Sequence, residues 1–130
     1  MSVNDALMGV FVGGLIGWVA PLLTLQYTER RWRFEARLSY LRAERDRFER
    51  LYERNLERFG KGLKENSYSS EMSAEIFALM PKEIADQYEK WMRDEEKDDF
   101  KSKVAYLEMA SAMKRDLARR DAEIRDLVEK

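Results

Sequence analysis

The chain has 130 residues, a net charge of −1, no cysteine and no histidine. These absences exclude disulfides, thiol nucleophiles, zinc sites of the usual ligand set and a histidine general base. The length admits at most one soluble domain beside an anchor, and averages of 45% hydrophobic and 38% charged residues conceal a segregation of the two along the chain.

Residues 1–5 read as a short tail without Lys or Arg. From Ala6 to Thr28 there are 23 residues and no charge. As a helix this run is roughly 34 Å long, enough to cross a hydrocarbon core of ~30 Å. A cleaved signal peptide would need a basic start and small residues before a cleavable bond. The tail lacks the first, and Pro21 follows Val19-Ala20. The run is therefore expected to be a single membrane-spanning helix, with Pro21 a candidate kink near its exit.

Gly9, Gly13 and Gly17 recur every fourth residue within the run, a strip on which a second helix can approach closely. Beyond it, Arg30, Arg31, Arg33 and Arg37 crowd the flank, with Tyr27 and Trp32 at the expected headgroup level. The positive-inside rule then places the N-terminus outside and the long remainder on the cytoplasmic or matrix side of a bacterial or mitochondrial inner membrane. Arg30, Arg31, Trp32 and Arg33 are the candidate contacts to anionic lipid headgroups.

Residues 29–59 contain no helix breaker. Phe34, Leu38, Leu41, Arg45, Phe48, Tyr52, Asn55 and Phe59 alternate spacings of four and three, a heptad seam interrupted by Arg45 and Asn55. Leu51 and Leu56 widen the apolar face toward bundle packing. Glu49, Glu53 and Glu57 form one ridge and Arg50, Arg54 and Arg58 the next, which in the plainest reading is a solvated face. Gly60 is expected to stop this helix, and residues 60–70 to form a loop with Ser69 or Ser70 capping the next helix.

Residues 71–93 read as short helices broken at Pro81, which fits a first helical position. Ile76, Met80, Ile84, Tyr88 and Trp91 trace an apolar ridge across the break. Residues 94–130 comprise an acidic turn and a last helix. Asp94, Glu96 and Asp98 alternate as in a calcium loop but lack its central glycine and spacing, so a hydrated acidic corner is expected. In the last helix Tyr106, Ala110, Met113, Leu117, Arg120, Ile124 and Leu127 again alternate four and three.

Charge is arranged in blocks. Glu29–Lys64 holds 12 basic and 7 acidic residues, Glu65–Phe100 holds 4 and 11, and Lys101–Lys130 holds 8 and 6. Blocks of opposite sign are expected to face each other or a partner.

The expected fold class is all-α: a single N-terminal transmembrane helix, a long amphipathic helix, and a helical hairpin or small bundle. Phe34, Leu38, Leu41, Phe48, Tyr52, Phe59, Met113, Leu117 and Ile124 are the candidate seam for a partner helix. No set of nucleophile, base and orienting group converges, so no catalysis, cofactor, metal or small-molecule substrate is expected. Carboxylates alternate with the arginines of residues 30–58, which argues against nucleic acid. The expected function is a non-catalytic single-pass subunit that scaffolds or stabilises a larger membrane complex through other membrane subunits. The alternative is a self-oligomerising anchor or pore-type protein of bacterial or phage origin that binds its own copies.

Overall fold

A computed structural model describes the backbone of residues 3–129 and the side chains of residues 21–129. Among the described residues the regular structure is wholly helical. The helices are α1 (Val3–Glu65), α2 (Ser70–Leu79), α3 (Lys82–Arg93) and α4 (Asp99–Glu129). Two compact units divide the chain, Met1–Ser39 and Tyr40–Lys130.

Among the described residues no helix is long and apolar enough to cross a membrane. Most of the span expected over residues 6–28, and with it the strip Gly9, Gly13 and Gly17, lies outside the described side chains. Pro21 falls inside α1 and does not end it.

The stop expected at Gly60 does not occur there. Helix α1 continues through Gly60 and Gly62 to Glu65, and no glycine takes a positive φ among the described residues. The left-handed turn falls on Asn66, at φ 53°. The Ser67 amide then donates to the Gly62 carbonyl at 3.2 Å, the six-to-one bond of a Schellman close. Gly62 serves proximity instead. A Cβ there would stand 2.7 Å from the Tyr68 ring and 2.8 Å from the Ser67 carbonyl oxygen.

Ser69 caps α2, its hydroxyl accepting the Glu71 amide at 3.2 Å. Pro81 stands at the N-cap of α3, one position before the first helical residue expected of it. Its carbonyl accepts the amides of Ile84 and Ala85, each at 3.1 Å. In the acidic corner the carboxylates act as turn acceptors. Asp94 takes the Glu96 amide at 3.0 Å, and Asp98 takes the Lys101 amide at 2.6 Å, opening α4.

In the second unit, α4 returns antiparallel to the end of α1. Asp121 meets Arg45, Asp116 meets Tyr52, and Tyr106 lies beside Gly60, so the partner number falls as the α1 number rises. Helices α2 and α3 close the bundle, burying Ile76, Met80, Ile84, Tyr88 and Trp91. Phe59, wholly buried, sits at the centre of an aromatic cluster. Trp91 meets it edge-on at 4.9 Å and Tyr106 stacks on it at 5.9 Å. Such ring pairs contribute about 1 kcal/mol each beyond the area they bury.

Candidate functional site

The seam residues separate by unit. In the second unit Phe48, Tyr52, Phe59 and Met113 are buried, while Leu41, Leu117 and Ile124 are partly so. The α1 face expected for a partner helix is therefore filled from Phe48 onward by this chain's own helices. In the first unit Leu38 is partly buried and Phe34 is exposed. There the arginines lie on an open helix surface. Arg31 pairs with Glu35 at 3.1 Å and Arg33 with Glu29 at 2.7 Å. Arg30 and Trp32 are exposed, Trp32 to 68%. Within-helix pairs of this kind contribute only tenths of a kcal/mol and leave the guanidinium groups accessible.

Two polar clusters cross the bundle. In the first, Asp116 of α4 accepts from the Tyr52 hydroxyl, from Arg119 at 2.7 Å and from Arg120 at 2.9 Å. The Arg120 guanidinium also lies over the Phe48 ring, 3.7 Å from its centre. Burial, and then the Asp116 carboxylate, push the Tyr52 hydroxyl pKa far above its ordinary value. Burial alone would raise the Asp116 pKa, but the hydrogen bonds from Tyr52, Arg120 and Arg119 prevail and hold it below the usual range. Tyr52 thus stays a proton donor and Asp116 a carboxylate, a fixed pair suited to joining helices. One turn along, Arg45 bridges Asp121 at 2.9 Å and Glu49. The seam break at Arg45 is thereby an ion-pair position.

In the second cluster, Glu75 of α2 accepts from Asn55 at 2.8 Å and from Arg54 at 2.9 Å, with Arg58 at 3.3 Å. The Asn55 hydrogen bond leads in holding the Glu75 pKa low, ahead of the arginines. Asn55, 1% exposed, also donates to the Leu51 carbonyl at 2.9 Å. The second seam break is thus a buried amide whose partner lies on α2. The basic block does face the acidic one here, and Arg115 repeats the pattern with Glu83 at 2.8 Å.

A shallow groove of about 1120 Å³ runs between the end of α1 and the start of α4. Tyr106 and Tyr68 line it, and Lys61, Lys64 and Lys103 oppose Glu57, Asp98 and Asp99. Its charges compensate one another and select no ionic ligand. Among the described residues no cluster of carboxylates is arranged to hold a metal ion.

Asp116 is the buried helix-joining carboxylate that periodicity misses. The signal was a carboxylate three and four residues before two arginines, in register with Met109 and Met113. The seam traced through Ala110, Leu117 and Arg120 ran one step around the helix from it. No family model, curated protein or solved structure matches the chain.

Proposed function

We propose that this protein is a non-catalytic, single-pass membrane subunit whose helical domain scaffolds or stabilises a larger membrane protein complex. The observation that carries the reading is the uncharged run Ala6–Thr28 followed at once by Arg30, Arg31 and Arg33. The run has the length and character of a bilayer span, and the arginines have the placement that retains a flank on the cytoplasmic or matrix side. Exposed Trp32 and the accessible guanidinium groups beside it suit an interfacial layer of anionic headgroups.

The domain beyond supports scaffolding rather than chemistry. Buried Tyr52, Asn55 and Asp116 take part in helix-to-helix hydrogen bonds, and a bundle held by aromatic packing and ion pairs is suited to bracing other subunits. A second reading, a self-associating anchor, is favoured by one feature, the strip Gly9, Gly13 and Gly17.

Alkaline carbonate washing of membranes that carry the full chain tests the span. Retention in the pellet, with protease reaching the domain only from the cytoplasmic or matrix face, is the expected result. Release into the wash overturns the reading. Purification in mild detergent then separates the two forms: a defined set of other subunits supports the scaffold, and a ladder of one species supports the self-associating anchor.

A further inference from the structure

The buried core stops well short of the end of α4. The buried residues of that helix are Met109, Ala112, Met113 and Asp116. Leu117 is the last to pack against the core, and it is only partly buried. From Ala118 to Glu129 no side chain is buried. The stretch of α1 beside this segment is alike. From Tyr40 to Arg47 nothing is buried, and Phe48 is the first buried residue of α1 among those described.

Polar groups close the boundary. Asp116 accepts from Tyr52, and the Arg120 guanidinium lies over the Phe48 ring at 3.7 Å. Beyond it the larger apolar side chains are partly buried at best: Leu41 on α1, Ile124 and Leu127 on α4. Charge ties the segment to α1. Arg45 meets Asp121 at 2.9 Å, and Arg120 stands 3.9 Å from Glu44. The Asp121 side chain is 53% exposed. A pair this open to water is weak and is screened by salt. A segment with few buried apolar contacts opens ahead of the rest of its domain.

We infer that Ala118–Glu129 is a strap, hinged at Leu117 and latched by the Arg45–Asp121 pair, which lifts from α1 as a unit while the bundle stays folded. Lifting it takes Arg120 off the Phe48 ring and uncovers Leu41. Both residues belong to the apolar seam of α1, a surface on which a partner helix can lie. The strap therefore holds this part of the seam closed within the chain and yields it when the latch is released. The inference rests on the scaffold reading only in giving the uncovered seam a partner.

Amide hydrogen exchange of the full chain in mild detergent, read residue by residue by NMR, tests the strap. At low salt, amides of residues 118–126 should exchange at least about tenfold faster than those of residues 106–116, with protection even across the strap. Salt at about 1 M should speed the strap a further two- to fivefold, roughly the effect of one exposed ion pair, and leave residues 106–116 unchanged. Asp121→Asn should do the same at low salt, and Asp121→Glu should restore the slower rate. The chain has no cysteine, so Leu41→Cys reports its own accessibility. Its labelling by a maleimide should quicken about two- to fivefold when Asp121→Asn is added. Protection that declines smoothly toward Glu129 is fraying without a hinge. Equal protection of the two segments means one cooperative domain, and indifference to salt and to Asp121→Asn means no latch. Each of these overturns the proposal. Release of the chain in the carbonate wash would remove the membrane reading and leave the exchange pattern standing; equal protection in a membrane-held chain does the reverse.

Discussion

The Tyr52 hydroxyl donates a hydrogen bond to the Asp116 carboxylate across 64 residues of chain, joining the C-terminal part of α1 to the middle of α4. Tyr52 is 2% exposed and Asp116 8%. Asp116 has two further donors, Arg119 and Arg120, so the two partners are unequal. Removing the tyrosine hydroxyl leaves the carboxylate with its arginines. Removing the carboxylate strands a buried hydroxyl and a half-buried guanidinium together.

That inequality sets the order of two substitutions. Tyr52→Phe should cost about 1.5–3 kcal/mol, the value of one hydrogen bond to a charged acceptor. Asp116→Ala should cost about 3 kcal/mol or more, because it leaves Arg120, under low exposure, with only the Glu44 carboxylate at 3.9 Å. Urea unfolding followed by tryptophan fluorescence measures both, and Trp91 in the core reports the transition. Equal costs would show that the arginines contribute nothing to holding Asp116.

Acid should loosen the same junction. Asp116 and Glu75 both have carboxyl pKa values held below their unfolded values. A depressed carboxylate contributes stability that is complete above the unfolded pKa, about 4 for these groups, and is lost as pH falls through the lower folded value. Stability should therefore be flat from about pH 5 upward and decline below about pH 4. Asp116→Asn should lower the plateau and flatten the decline. A variant that keeps the full acid slope would assign the slope to other carboxylates.

Gly62 should tolerate no side chain. The Cβ of alanine would meet the Ser67 carbonyl oxygen at 2.8 Å, and that atom belongs to the backbone closing α1, so it cannot swing away as a side chain can. Gly62→Ala should destabilise by about 1–3 kcal/mol despite alanine's better helix propensity. Gly60→Ala is the control. Its Cβ would meet the Tyr106 ring at an ordinary 3.5 Å, so the propensity gain should leave stability equal or higher. Thermal unfolding by circular dichroism distinguishes the two, and matching melting temperatures would remove the close approach as the reason for Gly62.

Periodicity carried the helices and most of the core into view, because burial in an antiparallel helical bundle follows a three-and-four spacing that side chains report directly. Ile76, Met80, Ile84, Tyr88 and Trp91 all lie inside for this reason. The same logic failed where a residue's role depends on something distant in sequence. Gly60 resembles a helix cap locally, yet α1 runs past it to Glu65, and the Tyr106 ring beside it leaves ordinary room for a Cβ. Asn66 ends α1 because asparagine tolerates the left-handed region, a weaker signal than the glycines before it. Asn55 and Arg45 showed as interruptions of a seam, but their partners Glu75 and Asp121 lie 20 and 76 residues away and no local rule selects them.

Asn55 makes a sharper prediction than the ion pairs around it. Its amide donates to Glu75 and to the Leu51 carbonyl from a site 1% exposed, so it joins α1 to α2 at one longitudinal position. Leucine has the same branched outline and number of side-chain heavy atoms, though it is bulkier, and it removes the leading donor that keeps the Glu75 pKa low. Asn55→Leu should then cost little stability, within about 1.5 kcal/mol, because apolar replacement of a buried polar group offsets the lost hydrogen bonds. What it should change is uniqueness: amide hydrogen exchange in α2 should accelerate relative to α3, and the Glu75 carboxyl should titrate at a higher pH by carbon-detected NMR. The buried amide is a register device if α2 loosens while global stability holds; a large loss of stability with uniform exchange would make Asn55 an ordinary core contributor instead.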